Sequence, residues 1–298
     1  MRAILRIDRA GPLTTIQDYG RYGMLAHGIS ASGPMDMAAY RTAGLLAGGQ
    51  GAGIEITRAG LDFIVVEGEV RAGWCGGAFL VRVNSRAAEW PGAAQLVAGD
   101  RLSITPGAAG NYGYVRFGGL LDLAPVLGSL STNIRAGLGG LSGRVLEVGD
   151  ELILSGNGVP EQISAHMAVQ DGPIRFIRGL HWDRFSQLVQ EHFVTARFQI
   201  STMMDRMGVR LEDKEQVFAS ESILSLVSDP VLPGDIQILG DGTPIVLMRD
   251  HQPTGGYPRI GTIISADLDR FAQMRPGTMV AFQPVSVEHA HRLLRSRA

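Results

Sequence analysis

The 298 residues carry a formal net charge of -2, with 45% hydrophobic and 19% charged residues, a globular composition with room for two cores but no electrostatic footprint for nucleic acid or an anionic membrane. No apolar run is long enough for a membrane helix and the N-terminus lacks a signal-peptide core, so a cytoplasmic setting is expected. One cysteine, Cys75, excludes an intrachain disulfide framework, and one lysine, Lys214 in a charged run, excludes a phosphate-loop lysine, a Schiff base and a biotin carrier site.

The first informative stretch is 14–47. Gln17, Asp18, Gly20, Arg21 and Gly23 suit an exposed, tightly turning loop. Ser32-Gly33-Pro34-Met35-Asp36 then reads as a helix start, with Ser32 or Gly33 as cap, Pro34 at the first helical position and Asp36 in the first turn. Met35, Ala38, Ala39, Leu45 and Leu46 follow at helical spacing, so a helix over 34–47 closed by Gly48 is expected. Helix N–H groups opening beside a carboxylate, an amide and a guanidinium would make a polar binding site.

Forty glycines beside short alternating segments predict many strands and tight turns. A turn-strand phrase recurs as AGDRLSITPG at 98–107, VGDELILSG at 148–156 and PGDIQILG at 233–240, with a looser relative, PGTMVAFQPV, at 276–285. This pattern fits antiparallel sheets or barrels rather than a doubly wound parallel fold. Between these phrases, Gly128-Ser129-Leu130-Ser131-Thr132-Asn133 and the following GLGGLSG read as a glycine-rich turn, not a nucleotide loop. Cys75 reads as a small buried residue. The stretch 155–172 breaks the strand rhythm and is the linker candidate, giving domains of 1–160 and 161–298. Further helices are expected from 179 to 193 (Trp182, Phe185, Leu188, Val189 and Phe193 inward), from 266 to 274 (Ser265 as cap; Leu268, Phe271 and Met274 buried) and over 287–295. The scattered histidines offer no metal centre; only His289 and His291 are close, and their spacing points them apart on a helix.

The last polar stretch follows the apolar strand 244–248. It delivers Asp250, His251, Gln252 and Thr254 into a turn, Gly255-Gly256-Tyr257-Pro258, at a strand end, a common place for binding groups.

Taken together, TTIQDYGRYG, HGISASGPMD, PVLGSLSTNIRAGLGGLSGRVLEVGD, DRMGVRL and DHQPTGGYPRIGTIISADLDRFAQMRPG resemble the 5-oxoprolinase C-subunit family, which includes KipA-like proteins and part of the carboxyltransferase region of urea carboxylase (urea amidolyase). The match runs in order from about residue 11 to residue 288. It implies a mainly β chain of tandem cyclophilin-like β-barrels with a few short helices. It also implies two partners, a KipI-like protein as the B-subunit, a LamB/YcsF-like protein as the A-subunit. The activity it implies is an ATP-dependent opening of 5-oxoproline to L-glutamate. The alternative enzyme is a biotin-dependent carboxyltransferase that acts on urea or a related amide, with this chain as one of its subunits and biotin on a separate carrier. The alternative outside catalysis is a KipA-like regulator of a kinase inhibitor. Tyr19, Tyr22, Gly44, Gly48, Met204, Val209 and Pro230 depart from the usual family pattern.

Urea, 5-oxoproline and the ureido ring of biotin share a planar N–H beside a C=O. Asp18, Asp36 or Asp250 could accept the N–H, and a carboxylate or His251 could take its proton. Gln17, Arg21, Arg206, Gln252 and the backbone N–H groups of Gly33 and Met35 could donate to the carbonyl oxygen, with Thr254 and Tyr257 completing the substrate-binding set. The competing structural reading pairs Arg21 with Asp18 and Arg206 with Asp205 as ion pairs that merely fix loops.

Overall fold

The computed structural model describes residues 2–156, 158–159, 171–219 and 226–296. The chain divides into two compact units, one of Met1–Tyr22 with Ala31–Ala168 and one of Gly23–Ser30 with Val169–Ala298. Most of the expected linker and the expected boundary at 160 lie outside the described residues.

The first unit holds β1 (Arg2–Ala10), β2 (Thr15–Gln17), α1 (Met37–Ala47), β3 (Gly53–Thr57), β4 (Leu61–Val83), β5 (Arg86–Ala88), β6 (Gly92–Val97), β7 (Arg101–Phe117), β8 (Leu120–Leu121) and β9 (Glu151–Ser155). Its sheet, a half-barrel, runs β2-β3-β7-β4-β1-β9-β8, with β5 and β6 also on β4. The 23-residue β4 serves several neighbours because register shifts bend it between Ile64 and Ala72 and again around Gly76 to Phe79. Ile54, Phe63, Trp74, Val115 and Phe117 supply a core from the inward face. Helix α1 lies close on this sheet because its buried face is small (Ala39, Ala43, Gly44 and Ala47 around Tyr40) and because Gly73 of β4 has no side chain. A Cβ at Gly73 would stand 2.5 Å from the Ala43 carbonyl oxygen.

The α1 helix begins later than its sequence suggests. Asp36, not Ser32 or Gly33, is the N-cap, its carboxylate accepting from the Ala39 N–H. Residues 32–35 stay outside the helix because strand side chains take the N–H groups that follow Pro34: Glu55 of β3 accepts from Met35 and Tyr114 of β7 from Asp36. Gly48 closes α1 in the left-handed region, as expected.

The second unit holds β10 (Ile174–Arg178), α2 (Gln187–Thr195), β11 (Arg197–Met204), β12 (Gly208–Glu212), β13 (Asp229–Pro230), β14 (Asp235–Ile238), β15 (Pro244–Leu247), β16 (Thr254–Gly255), β17 (Arg259–Ile263), α3 (Ser265–Ala272), β18 (Met279–Pro284) and α4 (Val287–Arg295). Seven of these strands close a barrel in the order β10-β17-β14-β15-β12-β11-β18, parallel only between β10 and β18. Its interior is aromatic: Phe176, Phe193, Phe198 and Phe282 are all buried, and the Phe193 and Phe282 rings stack with centroids 5.2 Å apart. Each such ring contributes about 3 kcal/mol by leaving water.

Helix α2 is shorter than expected. Residues 182–184 form a separate 3-10 turn, Phe185 is extended, and Ser186 caps α2. Leu188 consequently faces solvent while Trp182, Phe185, Val189 and Phe193 are buried. Ile264 rather than Ser265 is the N-cap of α3, and Met274, beyond its end, is half-buried. The bounds of α4 coincide with the expected 287–295.

Candidate functional site

In the first unit, the loop after β2 meets the GSLSTN turn. Asp18 Oδ1 accepts from the Ser129 hydroxyl at 2.5 Å, the Ser131 hydroxyl at 2.6 Å and the Gly20 N–H at 2.9 Å. Its Oδ2 accepts from the Leu130 N–H at 2.6 Å. Burial alone would raise this carboxyl, but the two hydroxyls and two N–H groups outweigh it and hold Asp18 below the ordinary 3.8. Arg21, buried beneath, donates to the carbonyls of Val126 and Ser131 at 3.3 and 2.6 Å. Both residues thus grip the 126–131 turn.

Gln17, fully buried, works in both directions. Its Nε2 donates to Thr15 Oγ1 and to the Thr132 carbonyl, and its Oε1 accepts the Gly33 N–H at 3.1 Å. Gly33 sits at φ +86, against the Asp18 and Tyr19 carbonyls, so it suits glycine on both counts. Beneath the helix start, Tyr114 donates to Glu55 Oε2 at 2.8 Å and accepts from the Asp36 N–H at 2.7 Å. Burial, helped by Glu55 and Asp36, raises this phenol well above 10, so it stays a donor at every working pH. The guanidinium of Arg116 lies 4.2 Å from the Tyr40 ring centroid, in space that exists because residue 44 is glycine.

The first unit therefore brings together Gln17, Asp18, Arg21, Gly33, Met35 and Asp36 around one loop and one helix start. It adds Ser129 and Ser131, from the stretch read in the sequence as a glycine-rich turn, and Glu55 and Tyr114, which the sequence did not single out. A carboxylate alone in the apolar strand GIEIT was the available signal for Glu55.

In the second unit, Arg206 and Asp250 form a two-pronged pair, Nε to Oδ2 at 2.8 Å and Nη2 to Oδ1 at 3.0 Å, with side chains only 4% and 6% exposed. This corrects the expected pairing with Asp205, whose Oδ1 instead accepts the Met207 and Gly208 N–H groups and shapes the turn into β12. Burial dictates the choice, since a sequestered guanidinium needs a carboxylate in fork geometry.

His251 follows Asp250 and is itself buried. Its Nδ1 lies 2.6 Å from the Gln252 carbonyl oxygen, which can only accept, so Nδ1 carries the proton and Nε2 carries the lone pair. Burial, outweighing the Gln252 carbonyl, Asp235 and Asp250, pushes the ring below the ordinary 6.5, so it is neutral near pH 7. Gln252 Nε2 reaches Gln237 Oε1 at 3.5 Å, and Gln237 Nε2 reaches the Tyr257 carbonyl at 3.4 Å. Thr254 lies in β16, paired with Pro230 of β13, and Tyr257 is 40% exposed. Arg206, Asp250, His251, Gln252, Thr254 and Tyr257 thus belong to one turn system of the second unit. Sequence alone missed His181, Asp229 and Arg259, which back this turn.

Among the described residues no group of three or more His, Cys, Asp or Glu comes together as a metal site. No helix among them is long and apolar enough to cross a membrane. Cys75 is buried and burial pushes its thiol up to about 12, which leaves it inert.

Residues 27–284 match the family model "Carboxyltransferase domain, subdomain A and B". The chain is 38% identical to the C-subunit of 5-oxoprolinase from Escherichia coli (strain K12), over 96% of this chain and 93% of that protein. It is 31% identical to the C-subunit of 5-oxoprolinase from Haemophilus influenzae, over 94% and 91%. The crystal structure of Kluyveromyces lactis urea carboxylase superposes on 99% of this chain with a TM-score of 0.89 at 25% identity, but the chain spans only 28% of that protein.

Proposed function

The chain belongs to the 5-oxoprolinase C-subunit family within the carboxyltransferase-domain proteins, and from that premise we propose that it is a subunit of an ATP-dependent 5-oxoprolinase that opens 5-oxoproline to L-glutamate. The observation that carries this reading is identity along nearly the full length of both chains in two bacterial C-subunit proteins. In this reading its partners are a KipI-like protein and a LamB/YcsF-like protein, the other two subunits, and the complex works in the cytoplasm.

Among the described residues, neither the lysine nor the glycine-rich segment forms a phosphate loop. Lys214 lies on an acidic strand end, bonded to Gln199 and 3.8 Å from Glu212, and GLGGLSG folds into two tight bridged turns rather than a strand-loop-helix phosphate loop. We therefore assign ATP binding to the partner subunits and route no step of this chain through it.

What this chain offers is recognition of the lactam edge and a proton acceptor. His251 is the general base: its tautomer presents Nε2 as a lone pair, and it is unprotonated at neutral pH. Gln252, Thr254 and Tyr257 line the same turn and supply polar groups for the ring amide. Asp250 keeps Arg206 in place and so fixes the strand end from which His251 projects. In the first unit, Gln17 takes the Gly33 N–H, Glu55 the Met35 N–H and Tyr114 the Asp36 N–H, so the donors expected of that segment are spent on holding its shape.

A biotin-dependent carboxyltransferase is the second reading, favoured by the family model and the fold likeness to urea carboxylase. Reconstitution with the two partner subunits separates them. The proposal expects glutamate to accumulate from 5-oxoproline only with ATP and this chain present, with avidin having no effect. Inhibition by avidin, or carboxylation of urea without glutamate, would replace it with the second reading. Kinase-linked binding without any turnover would point to regulation instead.

A further inference from the structure

A cluster outside the residues assigned above sits behind the 249–258 turn. His181 precedes the 3-10 turn 182–184, whose Trp182 packs against Phe176 and Phe193, so its backbone is anchored in the barrel core. It holds Arg259 at both main-chain groups. The His181 N–H donates to the Arg259 carbonyl at 3.2 Å, and His181 Nδ1 accepts the Arg259 N–H at 3.1 Å. A main-chain N–H can only donate, so Nδ1 is unprotonated and the ring's proton is on Nε2, which faces Asp229 Oδ2 at 3.7 Å.

Arg259 passes this grip on. Its Nη1 donates to the Pro230 carbonyl at 3.0 Å and to Asp235 Oδ2 at 3.3 Å, and its Nη2 lies 3.9 Å from Asp229 Oδ2. Asp229 and Pro230 are β13, which pairs with Thr254 and Gly255 of β16. Arg259 itself follows Tyr257 and Pro258 directly.

We infer that His181, in its neutral Nε2–H form, is a positioning residue for the 249–258 turn, clamping Arg259 so that Arg259 can tie down the strand opposite Thr254 and Gly255. This rests on the reading that the turn serves the substrate. The clamp is conditional. A proton on Nδ1 removes the acceptor for the Arg259 N–H and sets two donors against each other. The charged groups bearing on the ring are Arg259 and Arg184, which oppose its protonation, and Asp229 and Asp235, which favour it; burial is the largest influence and acts with the arginines, placing the ring below the ordinary 6.5. The turn is therefore held near neutral pH and released as pH falls below that value.

His181→Asn keeps a side-chain acceptor near the Nδ1 position and has no proton to gain. In the full chain, hydrogen exchange at the Arg259 amide, scaled to its intrinsic rate, should lose about fivefold protection between roughly pH 7.5 and pH 5 in the wild type and stay level in His181→Asn. In the reconstituted complex, KM for 5-oxoproline should rise over the same range in the wild type but not in His181→Asn, with the acid limb of kcat kept by both. An equal response of exchange in the two proteins overturns the inference. Exchange that differs as expected, with KM indifferent to it, supports the clamp and sinks the placement of substrate at this turn. Should His181→Asn not fold, imidazole nitrogen shifts of His181 in the wild type decide: the Nε2–H tautomer near neutral pH supports the clamp, and an Nδ1–H tautomer or an imidazolium overturns it.

Discussion

The two polar centres differ in what a proton can do there. In the first unit, Asp18 is closed off by two hydroxyls and two main-chain N–H groups, and its ionisation is held below the ordinary carboxylate value. Nothing in that arrangement lends or takes a proton near neutral pH. In the second unit, two buried histidines carry opposite tautomers, Nδ1–H at His251 and Nε2–H at His181, each fixed by a main-chain group that has only one role available. The first centre holds a shape and the second holds a titratable lone pair. A carboxylate in a polar loop is thus no guide to proton transfer until its hydrogen bonds are counted.

The largest effect expected from breaking this contrast is on turnover. His251→Gln removes the base and should lower kcat of the reconstituted complex by about 10²- to 10⁴-fold. Its urea melt should stay within about 1 kcal/mol of wild type, because the turn is also held by the β13–β16 pairing. Next is stability in the second unit. Asp250→Ala leaves the Arg206 guanidinium buried without the carboxylate that faces it, which should cost about 3–5 kcal/mol in denaturant unfolding. A loss under about 1 kcal/mol would show that the pair is not sequestered as described.

The smallest effect belongs to the first unit. Asp18→Asn exchanges a charged acceptor for a neutral amide and should cost about 2 kcal/mol. The folded carboxyl is depressed, so its contribution is complete above the unfolded value of 3.8 and is lost as pH falls below it. Unfolding measured across that acid range should accordingly be flatter in Asp18→Asn than in wild type, while kcat near neutral pH changes less than in His251→Gln.

Much of this architecture was legible in local chemistry. The Gly-Asp turn phrases predicted β7, β9 and β14, Gly48 closed α1 where expected, and the long motifs pointed to the family. The misplaced start of α1 has a tertiary cause. At Met35 and Asp36 the backbone N–H groups are satisfied by Glu55 and Tyr114, residues far along the chain, and no local pattern shows that Pro34 will not open the helix. The same holds for Arg206. Its neighbour Asp205 is adjacent in sequence, but burial selects Asp250 across two strands. Local signals report turns and caps; which polar groups meet is settled by tertiary contacts.

The most direct test of the contrast is the pH profile of kcat for 5-oxoproline turnover by the reconstituted complex. With His251 as base, the wild type should show an acid limb whose midpoint lies below 6.5, and the residual activity of His251→Gln should lack it. An acid limb that persists unchanged in His251→Gln, or one that vanishes in Asp18→Asn, would contradict the account.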